Sequence, residues 1–268
     1  MTRSNPSITV ITAVLNACGK IGRTIDSIRR QEYEGLQYIV VDGGSADGTL
    51  ELLKANQKVV TSWTSEPDRG ISDAFNKGVA RSSGEIIGIL NAGDWYEPEA
   101  LSVVAGAAAE HPEVDVICGS IRLWENQLEP LQCYADPESL DFETSVYHPA
   151  VFIRKSAYRK FGDYDESCRF AMDYELLLRF KRRGAKFLSI LDTLANMRLD
   201  GISSKHWYKG LAEVRKARSK YFSPANVAYG HARAVAMNLA ARTLKRTGLS
   251  SVYRAYREDR NKKYKVGR

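Results

Sequence analysis

Apolar residues along the first half of the chain fall into two alternating periods. Residues 8–15 (Ile-Thr-Val-Ile-Thr-Ala-Val-Leu) form a β-branched run bounded by Pro6 and Asn16, the pattern of a buried strand. Ile21, Ile25 and Ile28 then recur at helical spacing. The same exchange repeats: strands are predicted at 38–41, 59–65, 86–90 and 114–117, and helices at 49–55, 71–79 and 98–110, the last with Pro98 in its first turn. Near-continuous apolar strands joined by helices predict a mostly parallel sheet covered on both faces, an α/β fold of Rossmann-like type.

Beyond residue 120 the pattern loosens. Residues 123–143 are polar, carry Pro130 and Pro137, and read as a loop-rich excursion. Strand character returns at 148–153, a helix is predicted at 155–161, and a stronger one at 172–183 is closed by Gly184. A last strand is expected at 186–191. From Ser204 onward the chain reads as helical, with Trp207, Leu211 and Val214 on one stripe and an Ala-rich helix opened by Pro224. Two units are therefore expected: a sheet domain over residues 1–203 and a helical C-terminal extension over 204–268.

In such sheets, ligands sit beyond the carboxyl ends of the strands. The sequence sets acids there: Asp42 after the second strand, Glu66 and Asp68 after the third, Asp94 after the fourth. One aspartate in a turn would be unremarkable. Three consecutive strands ending in acids describe an acidic rim, which needs a cation or donors to balance it.

Composition excludes several classes. At 268 residues, with 44% hydrophobic and 26% charged residues, the chain is long enough for a sizeable core and is neither disordered nor low-complexity. No apolar run approaches the roughly 18 residues of a membrane span, and residues 1–7 lack the apolar stretch of a secretory signal. Four scattered cysteines without a CxxC pair argue against a zinc site or a disulfide framework and suit a reducing cytoplasm. No phosphate-binding glycine fingerprint and no Ser/His/Asp or Cys/His arrangement is visible.

Five segments occur in a recognisable order: Asp42-Gly43-Gly44-Ser45-Ala46-Asp47-Gly48-Thr49, then residues 65–78 (Ser-Glu-Pro-Asp-Arg-Gly-Ile-Ser-Asp-Ala-Phe-Asn-Lys-Gly), Leu90-Asn91-Ala92-Gly93-Asp94, His148-Pro149-Ala150-Val151-Phe152, and Ala171-Met172-Asp173-Tyr174-Glu175-Leu176. Together they resemble the family 2 glycosyltransferases of GT-A fold, of the kind that build bacterial polysaccharides and glycolipids. The resemblance covers roughly residues 7–202 and leaves the C-terminal extension outside. It implies an inverting, metal-dependent enzyme that moves a sugar from a nucleotide-diphosphate sugar, UDP favoured, to an acceptor hydroxyl. Thr12, Ala13, Asn16 and Asp42 would line the base and ribose; Asp68, Arg69, Asp73, Lys77 and Asn91 would contact the nucleotide or donor sugar. Asp94 matches the last acid of the family's metal motif, with His148 as a further contact to the metal or phosphates, and Mg2+ or Mn2+ as the ion. Gly93 stands where an adjacent acid is usual, which weakens ion binding in the absence of nucleotide. Asp173 matches the general base, with Glu175 its rival; two residues apart on a helix, both cannot face one site. Asp47 to Thr49 read instead as a helix cap, and Trp95 and Tyr96 as platforms for an acceptor sugar. A catalytically inactive nucleotide-binding module on the same fold is the alternative, favoured by Gly93.

Charge adds one distinction. The net charge of +7 divides into +14 for residues 204–268, where 17 Lys/Arg face three acids, and −7 for the rest. A basic helical extension with Trp207 and Tyr208 fits an anionic membrane surface, and nucleic acid is not expected as a partner. The enzyme is then expected in the cytoplasm, peripheral on the inner face of the membrane, with a lipid-linked or oligosaccharide acceptor.

Overall fold

The computed structural model describes residues 5–125, 129–199, 206–247 and 249–266. Its first half is the expected alternation: β1 (Ile8–Val14), α1 (Cys18–Arg29), β2 (Leu36–Asp42), α2 (Thr49–Ala55), β3 (Ser62–Ser65), α3 (Ile71–Arg81) and β4 (Ile86–Ile89). Here β3 pairs with β2, β2 with β1, and β1 with β4, all in parallel. The central strands are apolar throughout because both faces are covered; Ile8, Val10 and Ile11 are fully buried.

The second half bends the sheet. It comprises β5 (Trp95–Tyr96), α4 (Ala100–Glu110), β6 (Val116–Trp124), β7 (Leu131–Cys133), β8 (Val151–Arg154), α5 (Lys155–Phe161), α6 (Met172–Arg182) and β9 (Phe187–Arg198), with 3-10 turns at Pro137–Asp141 and His148–Ala150. The strand order is β3-β2-β1-β4-β8-β6-β9-β5, with β7 added to β6. Strand β8 runs antiparallel to both β4 and β6, whereas β6 and β9 are parallel. The sheet is thus parallel on one side and mixed on the other.

Two strands run longer than their apolar cores suggested. β6 continues to Trp124 and β9 to Arg198, and β7 lies inside the stretch that reads as loop. These extensions alternate: Ile121 and Leu123 are buried while Arg122 between them is not. Half-buried strands of this kind carry polar residues at every second position, so a search for apolar runs misses them. Register shifts near Ser120 mark a bulge that lets the extension curl away from the flat part of the sheet.

One apolar cluster fills the space under α1, α2 and α4, and a second lies on the opposite face under α3, α5 and α6. Helices α7 (Trp207–Ser219), α8 (Pro224–Arg246) and α9 (Ser250–Val266) follow. The expected boundary between residues 203 and 204 lies outside the described residues. The C-terminal helices return to the body instead of trailing from it. Lys220, at the end of α7, pairs with Glu175 of α6 at 3.2 Å and with Asp165 at 3.5 Å. Arg254 of α9 donates to the carbonyl of Glu129 at 2.5 Å, just before β7. Among the described residues no helix is long and apolar enough to cross a membrane.

Candidate active site

The carboxyl ends of β1, β2, β3 and β4, with the start of the antiparallel β8, make one rim. Asp42 ends β2 and is fully buried. Its carboxylate accepts from the amides of Gly44 at 3.0 Å and Ser45 at 2.9 Å, from the Ser65 hydroxyl at 2.6 Å, and from the Ser45 hydroxyl. Burial opposes ionisation of Asp42, but these bonds outweigh it and hold its carboxyl below the ordinary value. With both oxygens engaged, Asp42 shapes the 43–45 loop. Asn16, at the end of β1, completes that wall: its amide donates to Ser45 Oγ at 2.7 Å and its side-chain oxygen accepts from Ala46 at 3.0 Å. Thr12 is fully buried, with its hydroxyl donating to the Leu90 carbonyl at 2.7 Å, so its side chain ties β1 to β4, and Ala13 beside it is half-buried. Asp47 accepts from the amides of Cys18 and Thr49, the capping role expected of it.

The carboxylate that comes forward on this side is Asp68. A side chain at Gly43 would place its Cβ 2.5 Å from Asp68 Oδ2, so the acid after β3 lies over the glycine after β2. Asp68 also accepts from the amide of Gly70 at 2.9 Å, which folds the turn into α3. One turn further in, Asp73 accepts from the Arg69 amide and guanidinium, each at 3.0 Å, and pairs with Lys77 at 3.4 Å. Lys77 also meets Glu66 at 3.0 Å, and Arg69 meets Glu166 at 2.8 Å. The Arg69 amide, then its guanidinium, then Lys77 hold the Asp73 carboxyl down at about 2.

The turn after β4 carries Asn91, Gly93 and Asp94. Thr24 of α1 organises it: its hydroxyl accepts from the Gly93 amide at 2.9 Å and donates to the Asp94 carbonyl at 2.8 Å. Gly93 has φ +101°, a left-handed conformation that disfavours any other residue, and the stem of Lys20 lies 3.6 Å from where its Cβ would be. The missing second acid is therefore a backbone requirement of this turn. Asp94 is buried and one of its oxygens accepts from the Arg198 amide at 3.1 Å. Asn91 Oδ1 is buried and has no hydrogen-bond partner among the described residues. Among those residues no three His, Cys, Asp or Glu side chains converge on a point. Asn91 and Asp94 bring side-chain oxygens to this turn, the donor type a hard divalent ion takes. Of the expected acceptor platforms, Trp95 packs at 5.7 Å on Trp124 and under Arg23 at 4.6 Å, whereas Tyr96 is buried against Phe152 in the core.

Asp173 is in the first turn of α6 and half-buried. His148 is its neighbour. The imidazole packs at 5.3 Å on Phe75 with Nε2 3.4 Å from the Tyr164 hydroxyl, so its contacts run to the Asp173 side. Burial holds His148 below its ordinary value while the Asp173 carboxylate pulls the other way. Glu175 is 2% exposed and engaged by Arg179 at 3.1 Å and Lys220 at 3.2 Å. It braces α6 against α7, whereas the Asp173 side chain is half-buried near His148.

Three residues that pattern reading did not assign hold the irregular segment 162–171 leading to Asp173. Asn76 of α3 bonds both ways with the Tyr164 main chain, at 3.0 and 2.9 Å. Ser72 donates to the Cys168 carbonyl at 2.6 Å. Glu213 of α7 accepts from three successive amides, Arg169 at 2.9 Å and Phe170 and Ala171 at 2.8 Å. The signal for Glu213 was its rarity, as one of three acids among 17 cations in the extension.

The model of the family described as glycosyl transferase family 2 matches residues 9–159. The chain belongs to this family. It is therefore a glycosyltransferase. It is 32% identical over 184 residues to an uncharacterized glycosyltransferase of Mycobacterium tuberculosis (strain CDC 1551 / Oshkosh), covering 66% of this chain and 69% of that protein. It is 27% identical over 180 residues to a PGL/p-HBAD biosynthesis glycosyltransferase of Mycobacterium bovis (strain BCG / Pasteur 1173P2), covering 65% and 69%. Among solved structures, the mannosyltransferase PcManGT of Pyrobaculum calidifontis, in complex with GDP-Man and Mn2+, superposes with a TM-score of 0.65 at 18% identity, covering 95% of this chain and 83% of that one. TarS 1-349 of S. aureus in complex with UDP gives 0.64 at 15% identity, covering 85% and 70%. These likenesses establish the GT-A fold for the family 2 chain.

Two outcomes follow from this geometry. A carboxyl depressed in the folded state contributes stability that is fully present above its unfolded value near 3.8 and is lost as pH falls through about 2. Side-chain carboxyl NMR should accordingly show Asp73 titrating near 2, and a midpoint at 3.8 or higher would contradict the Arg69–Asp73–Lys77 arrangement. Replacing Glu213 with Ala removes a charged acceptor from three amides and should cost about 2 kcal/mol of stability. Hydrogen exchange at residues 169–171 should accelerate first, and unchanged protection there would show that α7 does not hold the segment.

Proposed function

We propose that the enzyme transfers a sugar with inversion from a nucleotide-diphosphate sugar, UDP favoured, to an acceptor hydroxyl. The observation that carries the reading is the disposition of Asp173. It stands in the first turn of α6, close enough to His148 for its charge to act on the imidazole, while its rival Glu175 is committed to Arg179 and Lys220. The nucleotide would lie over the β1–β3 side, against the wall built by Asn16 and the 43–45 loop. There Asp68 is the carboxylate offered to the base or ribose, with Asp42 fixing the loop behind it.

Asp173 takes the proton of the acceptor hydroxyl as that oxygen bonds to the anomeric carbon. The bond from that carbon to the diphosphate breaks on the opposite face, and the diphosphate leaves with the electron pair. No covalent enzyme intermediate is needed. His148 stands near the base, where burial disfavours its charged form and the Asp173 carboxylate favours it. A divalent ion, Mg2+ or Mn2+, held by Asp94 and Asn91 together with the diphosphate, supplies charge neutralisation of the leaving group when bound. PcManGT is known with Mn2+ and TarS with UDP, which supports both features for this chain by analogy.

The acceptor is proposed to be lipid-linked, with the enzyme peripheral on an anionic membrane surface. Among the described residues, six of the nine large apolar side chains that stand exposed (Tyr208, Tyr229, Leu239, Leu249, Val252 and Tyr256) lie in the extension that carries +14. Apolar tips among cations are the composition of an interfacial surface.

A thermal-shift panel of UDP- and GDP-sugars with and without Mn2+ tests the donor, since ligands that bind the folded state raise its midpoint. UDP-sugars should stabilise in a metal-dependent way. Asp173→Asn should lower transfer by about 100-fold or more while UDP-sugar binding stays within twofold; full activity in that variant would remove Asp173 from the role of base. Absence of both transfer and donor hydrolysis in the wild type would favour the inactive-module alternative. For the membrane, vesicles containing anionic lipid should pellet the protein at low salt and release it at high salt, and failure to pellet would refute the association.

A further inference from the structure

A cleft between α7, α8 and residues 142–144 holds a buried positive charge that the donor chemistry does not use. Its volume is about 190 Å3, and none of its lining residues belongs to the rim. Arg218, in the last turn of α7, lines the cleft and is 3% exposed. A guanidinium taken out of water is costly unless an opposite charge meets it. Among the described residues Arg218 forms no ion pair. Its Nη1 donates to the Phe142 carbonyl at 3.3 Å and its Nη2 to Asn226 Oδ1 at 2.7 Å, both neutral acceptors. Its Nε is buried and has no partner among those residues.

The neighbouring helix is shaped to admit this group. A Cβ at Gly230 of α8 would collide with Arg218 Nη1 and come within 2.8 Å of Cζ. Glycine weakens a helix interior, so α8 gives up stability to make room for the charge. The other ionised groups of the cleft leave that charge unmatched. Glu143 is the one acid among the described lining residues, and it pairs with Arg233 at 3.4 Å. Arg215, one turn before Arg218 on the same face of α7, lines the cleft from an exposed position. It too forms no ion pair among the described residues. His231 of α8 adds an imidazole to the same lining.

We propose that this cleft binds a phosphate group, held by Arg218 and Arg215. Two unmatched guanidinium groups suit an anion of about −1.5 to −2 charge near pH 7, which is that of a phosphate monoester. Their planar forks present paired N–H donors to its oxygens. The bound anion ties α7 to α8 and balances the charge that Arg218 carries inward. The site is independent of the donor reading, because it shares no residue with the rim.

The test uses the full chain in a phosphate-free buffer at fixed ionic strength, with inorganic phosphate titrated calorimetrically. The wild type should bind one phosphate saturably. Arg218→Met should weaken that binding at least tenfold, since it removes charge-assisted donors. Arg215→Glu sets a carboxylate one turn from Arg218, should abolish phosphate binding, and covers the case in which the first variant does not fold. Both variants should keep the wild type's UDP affinity within twofold, and loss of UDP affinity in step with phosphate would count against a local site. No saturable binding by the wild type, or undiminished binding by the folded variants, would overturn the proposal. Vesicles then separate the sources of the phosphate. Phosphatidic acid in phosphatidylcholine vesicles presents a phosphate monoester, whereas phosphatidylglycerol at matched surface charge does not. Pelleting that prefers phosphatidic acid and loses this preference in Arg215→Glu supports the site and assigns it to a lipid headgroup. Equal pelleting on the two vesicles, with inorganic phosphate binding that depends on Arg215 and Arg218, supports the site and assigns it to free phosphate.

Discussion

The segment 162–171 has no continuous secondary structure, yet it sets where α6 and Asp173 begin. Its hydrogen bonds therefore have to come from elsewhere. Two elements supply them from opposite sides. From α3, on the nucleotide side, Asn76 and Ser72 bond the main chain at Tyr164 and Cys168, and Arg69 reaches Glu166. From α7, Glu213 gathers the amides of residues 169–171. The distance between donor wall and base is thus set by polar contacts across the loop, with the apolar cluster under α3, α5 and α6 as their foundation. Nearly every candidate residue on the acceptor side inherits its position from this clamp.

The donor side is governed by a different constraint, which is space. The family pattern usually places an acid where this chain has Gly93, and that glycine, like Gly43, has a local cause. At Gly43 the neighbouring Asp68 carboxylate occupies the volume a side chain would need. At Gly93 the backbone is left-handed and Lys20 lies alongside. Beside Gly93 the Asn91 side-chain oxygen is buried without a hydrogen-bond partner among the described residues. With a glycine at position 93 the turn carries one carboxylate, Asp94, which avoids the repulsion that adjacent carboxylates impose on each other.

Much of this was legible in the sequence because it is written in local periodicity. The βα alternation, the strand ends bearing Asp42, Asp68 and Asp94, and the helix that starts at Asp173 all follow from apolar spacing and turn residues. Strand extensions such as Ile121-Arg122-Leu123 were missed because an alternating, half-buried strand carries too few apolar residues in a row. What was not legible is long-range. Asp42 reads as a ligand until Ser65, 23 residues away, is seen to engage it. Asn76 reads as a surface residue of α3 until Tyr164 appears 88 residues later. Glu175 is set apart from Asp173 by Arg179 on its own helix and by Lys220, which local pattern assigns to another unit.

That last contact changes the meaning of the chain's charge. Divided by sequence, the acids belong to chemistry and the cations to a tail that locates the enzyme. In three dimensions the division is incomplete, because several of the tail's charges are spent inward. Lys220 neutralises Glu175 and Asp165, Arg254 and Arg257 fasten α9 to β7, and Glu213 points at the loop of the base. Side chains so engaged cannot also serve a membrane, so the cationic surface left for lipid is smaller than +14 implies. The extension packs against the body through these side chains and supports the segment that leads to Asp173. A truncation at the end of the sheet would therefore remove the support of Asp173 along with any membrane contact, and the two functions of the extension can be separated only by point substitutions on its outer face.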